Sequence, residues 1–423
     1  MLAPATERAT LGEYLGELVT GWQVLLAASL GSAVGLQLFS YVTGLFGPYL
    51  LKEFNWSKAQ FALVGLTMFS TLLVMPLAGR LTDRYGARRM AFIGVLLTPL
   101  PLLGYSLMQG PFWMYLVSSA AQLAVGTLTG PITYTRLIAA NFTKARGLAL
   151  TVVMCAPAVL AFALAPQVSA LIESLGWRLG YRALAAFVMI VGLTAVALIP
   201  GDTAEAKREH LDARPARMRV VFTEIRREPA FWVIFLGMAL ITLSTPLHGS
   251  QFGILIASQG LRPQDAGALL SVYAAGTIVG RLTSGLALDW FSPRIVASLS
   301  MVLPAIGLSL IGSPLDTKAA VGLGLFLVGV TIGAEGDLLS FLVARYFRIE
   351  IFSTVLSIAY CGVFLGSAIG AVLLSRMLNA FGNRFEPFLF TAAVLVFLGA
   401  LLFLLLPAQP RGKSAIVSPE SAS

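Results

Sequence analysis

Long apolar runs fill nearly the whole chain, cut by short polar, glycine-rich or proline-rich breaks. Twelve runs stand out, at about 21–50, 59–81, 90–108, 112–140, 145–174, 180–200, 230–258, 265–290, 294–311, 319–346, 351–377 and 387–406. Most reach the roughly 20 residues that a helix needs to cross a hydrocarbon core. Within lipid each backbone amide must be satisfied inside its own segment, so the runs predict spanning helices. A membrane barrel would instead show short alternating segments. Runs near thirty residues must tilt, bend or protrude.

The polar breaks divide the chain. One break is long and basic, at 201–229, with Lys207, Arg208, Arg214, Arg217, Arg219, Arg226 and Arg227. It separates a first six-helix half at 21–200 from a second at 230–407, leaving an N-terminal segment 1–20 and a tail 408–423. If this linker is cytoplasmic, the basic loops at 84–89, 144–146, 294 and 345–348 are cytoplasmic too, as are both termini. Most of the 29 lysines and arginines then lie inside, which sets the orientation in a cell inner membrane. Residues 1–20 are polar and lack an apolar core, so no cleaved signal peptide is expected.

Composition agrees with the pattern. Hydrophobic residues make up 57% and charged residues 12%, against about 25% charged in soluble domains. The net charge of +9 is spread over alternate loops, not gathered in the basic stripe that nucleic acid requires. Cys155 and Cys361 both lie in apolar runs, so neither a disulfide nor a metal site is expected. No cofactor motif is present. The phosphate loop of an ATP-driven pump is missing, because Gly412-Lys-Ser lacks its upstream glycine. No nucleophile–base cluster suggests an enzyme.

The halves echo each other. Gly79-Arg-Leu-Thr-Asp83-Arg84-Tyr85-Gly-Ala-Arg88 follows the second run, and Gly285-Leu-Ala-Leu-Asp289-Trp-Phe291-Ser-Pro-Arg294 follows the eighth. Asn141-Phe142 and Tyr346-Phe347 match at nearly the same offset. Repeated six-span halves around a midplane site are a transporter design.

Gly79 to Arg89 resembles the loop signature of the major facilitator superfamily. Finer features are similar to its monocarboxylate-transporter-like branch, which includes proton-linked lactate and pyruvate carriers and oxalate–formate exchangers. These are Gly21-Trp22, Glu53-Phe54-Asn55-Trp56-Ser57, Asn141-Phe-Thr-Lys-Ala-Arg146-Gly147 and Gly176-Trp177-Arg178. The resemblance implies an all-α membrane protein with twelve transmembrane helices in two pseudo-symmetric halves, alternating access and a monomer. It also implies that Gly79 lets two helices approach. In the same way Asp83, Arg84 and Arg88, with Asp289 and Arg294 in the second half, would latch cytoplasmic helix ends. The chain departs from the branch in lacking a lysine in spans one and eleven. Thr277 also stands where the carriers have an aspartate one turn before their arginine.

Charges inside the membrane need a reason, because each costs several kcal/mol on most scales. Arg281 lies well within span eight, and its planar fork suits a carboxylate at any working pH. It is the candidate anchor for a small organic anion; the other reading is a permanent pair with a neighbouring acid. Glu335 and Asp337 lie in span ten. Glu335 is a candidate proton carrier; the other reading is that one of the two acids is Arg281's permanent counter-ion, and Asp337 reads as structural. His248, between Pro246 and Gly249, suits proton coupling at a broken helix or a hydrogen bond near the interface. Arg136 in span four reads as a helix lock. Gln37, Tyr41, Tyr134 and Tyr360 are candidate lining residues. Gly362, Gly366 and Gly370 present a small face for close helix packing.

The combined expectation is a secondary transporter of a small organic anion, a monocarboxylate, by proton coupling or exchange. A multidrug or organic-cation exporter of the same superfamily is the alternative.

Overall fold

Glycine and proline end the helices where the apolar runs break. Gly86 and Gly176 adopt φ of 85° and 81°, a region that residues with a Cβ rarely enter. They make the tight turns before the helices Ala87–Leu97 and Trp177–Leu198. Ser57 caps span two by accepting the Gln60 N–H at 3.0 Å, and Thr317 caps span ten by accepting that of Ala320 at 3.2 Å. This computed structural model describes residues 11–200, 225–315, 317–347 and 351–407. Most of the linker and the tail predicted from sequence therefore lie outside the described residues.

Among the described residues ten helices are long and apolar enough to cross a membrane. An eleventh crossing is a pair, Trp22–Ala33 and Leu36–Phe54, bent by 42°. The remaining predicted run, 112–140, forms two shorter helices, Phe112–Gly126 and Pro131–Asn141. Extended Gly130 (ψ −178°) and Pro131 interrupt it, because proline cannot donate to the preceding turn. Its counterpart in the second half, Lys318–Tyr346, is unbroken. Spans four and ten thus differ in this break.

The chain forms two compact units. One comprises Met1–Thr43 and Ser70–Ala213, the other Gly44–Phe69 and Arg214–Ser423. The segment Gly44–Phe69 precedes the linker in sequence, yet it packs within the second unit. Glycines allow this. A Cβ on Gly44 would collide with the Gly249 carbonyl oxygen, and one on Gly65 would stand 2.6 Å from the Ala371 Cβ.

Small residues also build the first unit. Tyr134 lies flat against Gly31, and Phe142 packs beneath Gly21. Both rings join Ala27, Ala28, Ala91, Val95, Ala149 and Val153 in one buried cluster. At one edge of it the short helix Leu11–Thr20 places Glu17 over the loop before span five. Glu17 Oε1 accepts the Thr143 N–H at 2.7 Å and the Thr143 hydroxyl at 3.0 Å, and Oε2 accepts the Ala145 N–H at 2.5 Å. The carboxylate thereby satisfies donors at the start of the helix Arg146–Leu175.

Those bonds, first from Ala145 and then from Thr143, hold the Glu17 carboxyl below the usual carboxylate range. The stabilisation is present at neutral pH and is lost as pH falls through the lowered value. Glu17→Gln is therefore expected to melt earlier than the parent at pH 7. The gap should narrow as pH falls through that lowered value, where the Glu17 carboxyl takes up its proton. Thermal unfolding in detergent across that range measures it.

Candidate functional site

Backbone touches backbone where span eight, Pro263–Trp290, meets span ten. Span eight contributes Gly276 and Gly280, and span ten contributes Gly329 and Gly333. A Cβ on any of the four would collide with a carbonyl oxygen of the other helix: those of Phe326, Val330, Tyr273 and Thr277 respectively. This is the small-residue packing that lets membrane helices approach closely. The register carries on down the helix. Tyr273 and Thr277 lie against Gly329 and Gly333, and Arg281, one turn further, reaches Asp337.

Arg281 is only 11% exposed at its side chain. Its Nε donates to the Gly333 carbonyl at 3.3 Å and meets Asp337 Oδ2 at 3.3 Å. Asp337 is 41% exposed. The pair is therefore enclosed on the Arg281 side and open on the Asp337 side. Tyr360 enters from span eleven, Phe352–Ala380; its hydroxyl lies 3.6 Å from where a Gly336 Cβ would stand. Glu335 is half-buried and forms no hydrogen bond or ion pair among the described residues. Of the two acids in span ten, Asp337 is therefore the counter-ion. Position 335 is turned to a different side of the helix.

The other sequence-nominated residues belong to other elements. His248 is buried in the second unit, with Nδ1 3.0 Å from the Tyr273 hydroxyl. Gln37 (half-buried), Tyr41 (7% exposed) and Tyr134 (fully buried) belong to the first unit. The Tyr134 hydroxyl has no hydrogen-bond partner among the described residues, and its ring is helix packing. Arg136 lies on Pro131–Asn141, Arg88 on Ala87–Leu97, and Arg294 opens span nine, Pro293–Ile311. Gly79 lies within Met68–Tyr85. The side chains of Asp83, Arg84 and Asp289 are outside the described residues. Gly362, Gly366 and Gly370 do form a packing face, against the backbone of Phe235, Ala239 and Leu243.

Sequence reasoning missed Tyr273, Glu17 and the four glycines joining spans eight and ten. The glycines carry a readable signal, a four-residue spacing in each helix. Tyr273 lies two turns from Arg281 on the same face.

The Major Facilitator Superfamily model matches residues 26–335 and 234–422. The chain belongs to this superfamily. It is 25% identical to human monocarboxylate transporter 11 over 410 residues, which is 91% of this chain and 79% of that protein. It is 28% identical to the 4-hydroxybenzoate transporter PcaK of Acinetobacter baylyi over 155 residues, 36% of this chain and 34% of that protein. The match to PcaK thus spans about a third of that relative's length. Among solved structures, a point mutant of the nucleoside transporter NupG aligns with a TM-score of 0.73 at 14% identity, covering 90% of this chain and 99% of that one. The D-xylose–proton symporter aligns at 0.68 and 14% identity, covering 90% and 97%. At such identities these structures establish the fold alone. This is a multi-pass membrane transporter of the major facilitator fold, not an enzyme.

Proposed function

We propose that the cargo is a small organic anion, a monocarboxylate, bound by Arg281. One observation carries this reading: a guanidinium deep in span eight whose acid partner is 41% exposed. Where water reaches that open side, the pair can exchange its internal carboxylate for a dissolved one, whereas a sealed structural pair cannot. Two relatives named for monocarboxylates and for 4-hydroxybenzoate support the same chemistry. Tyr360 flanks the site and Glu335 carries the coupling proton if transport is symport; anion exchange would need no such group. The charge asymmetry of the loops supports a cell inner membrane with both termini cytoplasmic.

Glu335 is also what favours the second reading, an organic-cation exporter, because an acid without an ion-pair partner attracts cations. A thermal-shift screen of purified protein separates the two. Small monocarboxylates are expected to raise the melting temperature, and amines and sugars to leave it unchanged. Stabilisation by amines alone would overturn the anion reading.

Glu335→Gln tests the coupling. Uptake driven by an imposed pH gradient in proteoliposomes is expected to fall at least about tenfold, consistent with loss of a positioned proton carrier. Counterflow of the same anion should persist. Equal loss of both would remove Glu335 from the coupling role.

A further inference from the structure

Span seven is broken in its second half, the outer end if the linker before it is cytoplasmic. After Pro229–Ile241 a 3-10 turn, Thr242–Ser244, and one α-helical turn, Thr245–His248, carry the span on; the helix stops at residues 249–251 and resumes at Phe252–Ser258. The break and the residue before it hold an unusual group of polar side chains. His248 is 6% exposed and Gln251 fully buried. His248 Nε2, Ser250 Oγ and Gln251 Oε1 have no hydrogen-bond partner among the described residues. Each such group forfeits hydration, so a cluster of them in one break needs an explanation.

The segment Gly44–Phe69 covers this break inside the second unit. Gly44 lies against the Gly249 carbonyl and the Phe252 Cβ. Gly253 lies against the Gly44 carbonyl and Pro48, and the Gly47 backbone rests on Ile254. Gln251 Nε2 donates to the Lys58 carbonyl at 3.0 Å. Lys58 in turn donates to the Asn383 carbonyl at 3.3 Å and stands 5.3 Å from the Phe385 ring centre. The contacts are numerous but uncharged at the break itself.

The charged and titratable groups around His248 are few. From span eight comes Tyr273, stacked on the imidazole with centroids 5.4 Å apart and hydrogen-bonded to Nδ1. The covering segment brings Lys58, a cation; its Lys52 and Glu53 are exposed. Around Gly65 of the covering segment gather Ala371 and the Ser367 carbonyl of span eleven together with Pro246, and Arg376 lies further along span eleven and is exposed. No carboxylate among the described residues pairs with His248. When an imidazole is protonated both nitrogens become donors, whichever tautomer it began from. The Tyr273 oxygen can accept one of them, and Nε2–H would then be a buried cationic donor facing no anion. Such a group is costly to bury, and a neutral ring is not.

We propose that His248 is the proton-sensitive pin of this closure: Gly44–Phe69 seats over the span-seven break only when the imidazole is neutral. Water reaching the break delivers a proton to the ring, both nitrogens become donors, and the cover stays off. The proton must leave, to water or to the solute path, before the segment reseats. External acid therefore biases the second unit towards an uncovered break. The inference needs neither a particular cargo nor Arg281; it rests on the transporter reading only for which end is outer.

The test uses the full chain with Cys155 and Cys361 replaced by serine and Ile254→Cys as reporter. Ile254 is 3% exposed beneath the cover. Labelling by a membrane-impermeant maleimide is measured from the outer side between pH 8 and 5.5, without solute. Rates are normalised to a permanently exposed Leu315→Cys reference, which removes the thiol's own pH dependence. The normalised rate is expected to rise fivefold or more as pH falls. His248→Gln, uncharged but still able to hydrogen-bond, should give a flat profile; should it fail to reach the membrane, His248→Asn replaces it with the same reading. Tyr273→Phe leaves the imidazole and should keep the rise. A flat parent, an undiminished rise in the His248 variants, or loss of the rise in Tyr273→Phe would each overturn the proposal. Because no solute is present, failure here leaves the anion reading standing, and a cation cargo would leave this closure standing.

Discussion

Arg281→Leu is expected to abolish uptake of the native anion, by at least about 100-fold, while the protein still folds. Two charge-assisted hydrogen bonds from a guanidinium fork contribute about 1.5–3 kcal/mol each, and each 1.4 kcal/mol is tenfold in binding. The fold should survive because Asp337, left behind, is exposed enough to be hydrated. Arg281→Lys keeps the charge but not the planar fork, so it should fall between the two. Initial uptake rates in proteoliposomes, with size-exclusion profiles as the folding control, measure this. Undiminished uptake in Arg281→Leu would remove the anchor from the account.

The second large effect concerns the seam that positions this arginine. Adding one methyl group at Gly280 or Gly333 is expected to destabilise the protein by about 2 kcal/mol or more. Overpacking usually costs about 1–3 kcal/mol, and here the new atom meets carbonyl oxygens that cannot rotate away. The helices must part, so the Arg281–Asp337 pair should loosen and transport should fall with stability. Gly285→Ala is the control. It lies on the same helix, but its Cβ would meet open space. Helix propensity alone predicts a gain of roughly 0.5–1 kcal/mol there. Similar losses at Gly280 and Gly285 would show that the seam is not what holds the two spans.

Helix existence was legible in the sequence because each apolar run must satisfy its own backbone, whatever surrounds it. The prominence of Arg281 was legible for the related reason that a charge in a span is never neutral in energy. What escaped was set by distance between helices. Which of Glu335 and Asp337 faces Arg281 was not readable from sequence; only the glycine register between spans eight and ten turns Asp337 towards Arg281. The split of the fourth run was signalled by Gly130-Pro131, yet the length of apolar sequence around it masked the break. The joining of Gly44–Phe69 to the second unit had no periodic signature. It depends on isolated glycines at Gly44 and Gly65 meeting partners far along the chain, at Gly249 and Ala371. The hydroxyl of Tyr273 against His248 is of the same kind, a contact between spans that neither span announces.

The exchange of an internal carboxylate for a dissolved one is open to a direct measurement, equilibrium binding of a radiolabelled monocarboxylate to purified protein and to Asp337→Asn. Removing the competing acid should leave the guanidinium to the solute, so the variant is expected to bind at least as tightly as the parent and more tightly at low occupancy. Loss of binding in Asp337→Asn, with the protein folded, would mean that the pair builds the helix seam and that the anion, if any, is held elsewhere.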